Sequence, residues 1–205
     1  MGCQVLVLAQ DAPTVTFSLD FPESEPSHYV IVIASDGHAS YDSATKHSAE
    51  SSPGETFHLD FALPPRSSTR VFELAKQARY FSSELDSGKK GMAFTGTKTL
   101  TYKDAQKDAR ATYNYSSIPA VQELTEYFQD LGATMEFGRR LEYHHRYQKL
   151  ALDQDLKAME DAASRDTLRE LPAIAPVLQK IVNDSSVMNG VRARAQRLLA
   201  KAGTG

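Results

Sequence analysis

Positions 15, 17, 19 and 21 are Val, Phe, Leu and Phe, with Thr16, Ser18 and Asp20 between them. Strict alternation is the period of a half-buried strand. A loop follows at Pro22-Glu-Ser-Glu-Pro26, then an apolar run over residues 28–35 ending at Asp36-Gly37. Asp-Gly between apolar runs predicts a two-residue hairpin turn. That turn would set Val32 opposite Tyr41 and Ala34 opposite Ala39. It would leave Ser35, His38, Ser40 and Asp42 on the other face, beside Ile31 and Ile33. Residues 43–54 are polar and rich in turn formers, which predicts a loop. Phe57, Leu59, Phe61 and Leu63 alternate again until Pro64-Pro65. Ser67, Ser68 or Thr69 then offers a helix cap. Val71, Leu74, Ala78, Phe81 and Leu85 make one helical stripe, with Gly88 as its expected stop. A second hairpin is expected over residues 92–102 and 110–115. A helix with a single apolar stripe needs a sheet to cover, so residues 13–116 predict an antiparallel α+β domain.

From residue 117 the period becomes helical. Val121, Leu124, Phe128, Leu131 and Met135 form a stripe that continues through Gly138, Glu142, His145 and Lys149, then Leu152, Leu156, Met159 and Ala163. One helix of about 45 residues would be roughly 68 Å long. The alternatives are a long strut or two helices bent near Gly132 or Gly138. Ile174, Val177, Leu178 and Ile181, then Val191, Ala195, Leu198 and Leu199, predict a closing helical hairpin packed on the long helix. The expected class is α+β, with an antiparallel sheet and one packed helix before a helical domain at 117–205.

Composition narrows function by exclusion. The 205 residues are 41% hydrophobic and 24% charged, with a net charge of −3 and a pI near 6.1. A general nucleic-acid binder would be strongly basic, and no run approaches the roughly 18 apolar residues of a membrane span. A single cysteine, Cys3, excludes an intrachain disulfide. Residues 1–12 read as the tail of a signal peptide: apolar Val5 to Ala9, then polar Gln10 and Asp11. A periplasmic or secreted location follows as an expectation, with a cytoplasmic chain as the alternative.

The run Tyr29-Val-Ile-Val-Ile-Ala-Ser-Asp-Gly37 is followed by Tyr41, the helix ending Ala78-Arg-Tyr-Phe81, Asp86, Thr95-Gly-Thr97 and residues 113–118. Together these resemble a bacterial domain of unknown function found in exported or lipid-anchored proteins. The likeness covers roughly residues 28–130. Where that family carries cysteines before its first strand, Pro22–Pro26 has none. The whole chain also resembles secreted proteins of soil bacteria. The resemblance implies an extracytoplasmic α+β domain without assigned chemistry. Residues 171–200 resemble one unit of a HEAT-type helical repeat.

Chemical candidates are few. Glu142 and His145 stand at i and i+3, the spacing of di-iron carboxylate bundles, but such bundles need two of these pairs and further glutamates on facing helices. They are weak metal candidates, and no cofactor is expected. An enzyme, such as a metal-assisted hydrolase centred on Glu142 and His145, is the alternative reading. Arg139, Arg140, Tyr143, His144, Arg146 and Tyr147 interleave basic and aromatic side chains, a composition suited to partner docking. Asp36, His38, Ser40 and Asp42 put acid, imidazole and hydroxyl on one hairpin, without the strained serine turn that nucleophilic catalysis requires. No catalytic residue is assigned. The expected function is a non-catalytic binding or assembly module, with a protein partner or self-association through the long helix.

Overall fold

The computed structural model describes residues 12–44 and 56–203. All but the last residue of the segment read as a signal remnant at 1–12, Cys3 included, and residues 45–54 of the loop expected at 43–54 lie outside the described residues. Six strands form one antiparallel sheet: β1 (Thr14–Asp20), β2 (His28–Ala34), β3 (His38–Ala44), β4 (Thr56–Ala62), β5 (Thr97–Lys103) and β6 (Asp108–Tyr113). Their spatial order is β4-β3-β2-β1-β5-β6. β1 sits inside the sheet, with Phe17 opposite Ile31 on one side and Leu100 on the other. The alternation of β1 is therefore read twice, by both neighbours. The described residues also hold five α-helices: α1 (Pro65–Gln77) between β4 and β5, then α2 (Pro119–Tyr147), α3 (Leu152–Ser164), α4 (Ala175–Asn183) and α5 (Asn189–Gly203). The buried side chains form one cluster that runs from Val15 through Phe128 and Leu156 to Ala202.

The first hairpin differs from expectation by one residue. Ile31, not Val32, faces Tyr41, and Ile33 faces Ala39. The loop is Ser35-Asp36-Gly37, closed by the Gly37 amide donating to Ala34 O at 3.0 Å. Gly37 adopts φ +92°, the left-handed residue that completes a three-residue hairpin turn. Asp36 stabilises this longer loop by accepting from the His38 amide at 3.0 Å. A one-residue slip moves side chains to the other face. The buried face thus carries Tyr29, Ile31, Ile33, Ala39 and Tyr41, while Ser40 and Asp42 lie beside Val32 and Val30.

α1 starts earlier and stops earlier than expected. Pro65 occupies its first turn, where a missing N–H costs nothing, and no side chain caps it. It ends at Gln77 rather than Gly88, because Arg79, Tyr80 and Phe81 all take positive φ (53°, 54° and 61°). Phe81 and Leu85 still reach the core, but from a left-handed turn and the segment after it. β5 begins at Thr97, so residues 92–96 are not part of a strand, and β6 ends at Tyr113.

α2 is one uninterrupted helix of 29 residues, about 44 Å at 1.5 Å per residue. The bend comes after it, at Gln148 (φ −145°, ψ 59°), and not at either glycine. Gly132 and Gly138 serve close approach instead. A Cβ on Gly132 would stand 3.1 Å from the Tyr29 ring, and one on Gly138 would stand 2.6 Å from Ile174 Cγ2. The glycines let α2 lie against the sheet on one side and the start of the α4 segment on the other.

The sheet face turned away from the buried one carries two histidine–carboxylate pairs. His28 meets Asp20 at 2.7 Å. His58 lies 2.7 Å from Asp42 on the neighbouring strand and 3.3 Å from Asp60. The hydrogen bond to Asp42, then that to Asp60, holds the His58 imidazolium and raises its pKa above 6.5. A raised folded-state pKa means that this interaction contributes fully below the unfolded value and is lost as pH rises through the folded one. Imidazole NMR titration is expected to give His58 a midpoint above 6.5 that falls in Asp42→Asn. A midpoint indifferent to that substitution would contradict the pairing.

Candidate basic–aromatic groove at the end of the long helix

The last turns of α2 combine an apolar anchor with a charged outer face. Leu141 is fully buried, and Met135 and Gly138 precede it in the core. Residues 139, 142, 143 and 146 recur at three- and four-residue spacing, so they share one side of the helix. That side faces Thr56 and Phe57 at the start of β4 and Val177 and Lys180 on α4, enclosing a groove of about 580 Å³. Arg139, Glu142, Tyr143, His145, Arg146, Tyr147 and Lys149 all line it.

The basic–aromatic set named from sequence divides in two. Arg139, Tyr143, Arg146 and Tyr147 reach the groove. Arg140 and His144, one helical turn apart, point to α3. Arg140 lies over the Phe137 ring at 4.7 Å and 3.9 Å from Asp155. His144 Nδ1 is hydrogen-bonded to the same Asp155, which is buried. These two side chains join α2 to α3.

The ion pairs order the groove and tie up most of its cations, leaving Arg146 apart. Asp184, from the turn after α4, meets His145 Nε2 at 2.9 Å and accepts from Lys149 Nζ at 2.6 Å. The Lys149 ammonium, with Ser186 bonds next, holds the Asp184 carboxyl well below the usual carboxylate range. Glu142 pairs with Lys180 at 3.4 Å. Among the described residues Arg146 has no carboxylate partner; its guanidinium lies 5.1 Å from the Tyr147 ring centre. The Tyr143 and Tyr147 rings are 5.1 Å apart, and Tyr147 is 61% exposed. Two adjacent rings beside a free guanidinium offer stacking surface and charge together.

Glu142 and His145 thus share the groove but hold different partners. Among the described residues no three His, Cys, Asp or Glu side chains are arranged to hold a metal ion. On the first hairpin, Asp36 is committed to its turn and Asp42 to His58.

Sequence reasoning missed the joint that fixes the groove's inner end. Glu136 accepts from Tyr41 Oη at 2.5 Å and Ser43 Oγ at 3.0 Å through one oxygen, and from Arg139 Nε at 2.7 Å through the other. Burial, then the Glu136 charge, pushes the Tyr41 phenol far above its ordinary pKa. The only hint in the sequence is local, the i, i+3 spacing of Glu136 and Arg139; its partners on β3 are more than ninety residues away. No helix among the described residues is long and apolar enough to cross a membrane. No known family model matches the chain, and no curated protein matches it.

Proposed function

We propose that the chain is a non-catalytic binding module acting outside the cytoplasm, and that it docks an acidic, aromatic-bearing segment of a partner protein in the groove at the end of α2. The observation that carries this reading is Arg146, which has no carboxylate partner among the described residues, beside the Tyr143–Tyr147 ring pair, inside a groove that also holds the ion-paired Arg139, Lys149 and Lys180. Carboxylates are drawn to guanidinium forks, which bind them bidentately. Tyrosine rings supply contact area at low entropic cost and are enriched where proteins meet. The extracytoplasmic location rests on the apolar-to-polar transition over residues 5–11.

A random copolymer of glutamate and tyrosine is a direct probe, read by fluorescence anisotropy at low and at moderate salt. Binding is expected at low salt, weaker as salt screens the charges. Combining Arg146→Glu with Tyr147→Ala is expected to weaken it at least about tenfold, equivalent to ~1.4 kcal/mol. No binding at low salt, or equal binding by the double variant, would remove this assignment.

A further inference from the structure

Lys98 occupies a position that a lysine rarely holds. On β5 it alternates with Leu100 and Tyr102 toward the helices, opposite Leu19 on β1 and Tyr113 on β6. It is only 4% exposed. Lysine is almost never fully buried unless paired with an opposite charge, yet no carboxylate of the described residues lies within ion-pairing distance of its ammonium. Its partners are all neutral oxygens: Thr95 Oγ1 and Asn114 O at 2.9 Å, Gly96 O at 3.3 Å and Thr95 O at 3.4 Å. An apolar side chain there would avoid the cost of desolvating a charge.

The same side chain lines a cavity of about 440 Å³ between the β5–β6 end of the sheet and the first half of α2. Thr125 and Gln129 stand on the helix side. Tyr113, Tyr115 and Glu126 are the other titratable groups on its wall. Burial alone lowers the Lys98 pKa from its ordinary value, with no charge to offset it. A desolvated lysine is the kind that acts as an amine nucleophile toward carbonyl compounds.

We propose that Lys98 is a reactive amine that forms an imine with a small aldehyde or ketone entering this cavity. The ammonium first releases one proton to solvent. Two N–H bonds then remain for the two short contacts, and the lone pair is freed from the two long ones. That pair attacks the carbonyl carbon, and the C=O π pair moves to oxygen. Transfer of one amine proton to that oxygen gives a carbinolamine. Loss of the hydroxyl as water, with the second amine proton, leaves C=N. Carbonyl compound plus amine gives imine plus water, with no oxidant or reductant needed. The site is separate from the groove and does not depend on it.

The test is reductive trapping on the full chain at pH 7, using propanal with cyanoborohydride and locating the propyl groups by peptide mass spectrometry. Lys98 is expected to be modified about tenfold faster than the exposed Lys89, Lys90 and Lys103. Its advantage should vanish in urea, where all lysines share one environment. Modification of Lys98 no faster than the exposed lysines in the folded protein would overturn the proposal, as would an advantage that survives in urea. Lys98→Arg retains charge and donors but cannot form the stable imine, so it should abolish the fast-labelled site while leaving the circular dichroism spectrum unchanged. A fast site of equal yield in that variant would equally overturn the assignment.

Discussion

Phe128→Ala is expected to cost about 3–5 kcal/mol of folding stability, the range for deleting a fully buried aromatic ring. Phe128 has no exposed surface. Its ring stacks on Phe17 with centroids 5.1 Å apart and planes 5° from parallel. Phe17 belongs to the strand that both halves of the sheet share, so this contact ties α2 to the sheet at its centre. From there the rings continue across the strands: Phe17 to Tyr29 at 6.0 Å, Tyr29 to Tyr41 at 5.8 Å, and Tyr41 to Phe57 at 6.2 Å. Removing the first ring leaves a void bounded by rigid neighbours, which collapse poorly. Single domains are stable by only about 5–15 kcal/mol, so the variant would lose a large share of its margin. Urea unfolding measures this directly, as a lower midpoint at unchanged slope. Phe94→Ala is the control. That ring is 57% exposed and only meets Phe21 edge-on at 6.0 Å, and its loss should cost less than about 1 kcal/mol. Equal losses in the two variants would mean that the α2–sheet contact is not the core described above.

The order of elements was legible because each buried face repeats its period several times. Val15, Phe17 and Leu19 could only be one face of a strand, and Val121, Leu124 and Phe128 only one face of a helix. Boundaries set by a single turn were less legible. Asp36-Gly37 fits both a two-residue and a three-residue loop, and the choice rests on the Asp36 carboxylate and on Leu63 donating its amide to Gly37 O at 2.8 Å. Likewise, Arg79, Tyr80 and Phe81 are ordinary residues in left-handed backbone, held there by the burial of Phe81 rather than by any turn-forming composition. Gly132 and Gly138 looked like bends because a glycine's flexibility can be seen in sequence, whereas the ring or methyl group pressing on it cannot. In the groove, the basic–aromatic stretch was visible as a stretch. Its division was available from helical geometry, since Arg140 and His144 are four residues apart and Arg139, Tyr143 and Arg146 follow the neighbouring row. Asp184 and Glu136, which position the cations, were not legible. Their partners lie 35 or more residues away in the chain, except for Arg139 beside Glu136 and Ser186 beside Asp184. Lys98 was legible in principle, as a charge in phase with Leu100 and Tyr102.

Glu136 supports the other large prediction, because three donors depend on its two oxygens. Its side chain is 14% exposed, as is that of Arg139, and Tyr41 has no exposed surface. Glu136→Ala would leave the Tyr41 phenol and the Ser43 hydroxyl without their acceptor. It would also strand the Arg139 guanidinium with only Glu25, 3.7 Å away and largely in solvent. Breaking one member of a mostly buried ionic cluster typically costs about 3–5 kcal/mol, more than the pair itself contributes, because the remaining charge stays desolvated. Tyr41→Phe removes only one charge-assisted hydrogen bond and should cost about 1.5–3 kcal/mol. Glu136→Gln should fall between, since an amide oxygen still accepts from Tyr41 but no longer balances Arg139. In a double-mutant cycle, Tyr41→Phe with Glu136→Ala, each of which removes the hydrogen bond, should show a coupling of about 0.5–3 kcal/mol, the range for residues in direct contact. A coupling near zero would mean that the two elements meet through packing alone. The same residue sets the charge of the groove. Without Glu136, Arg139 is freed at the groove's inner end, so Glu136→Gln should bind the glutamate–tyrosine copolymer more tightly than the parent chain while folding less stably. Stability and affinity moving in opposite directions would distinguish a carboxylate that restrains a binding cation from one that merely fills the core.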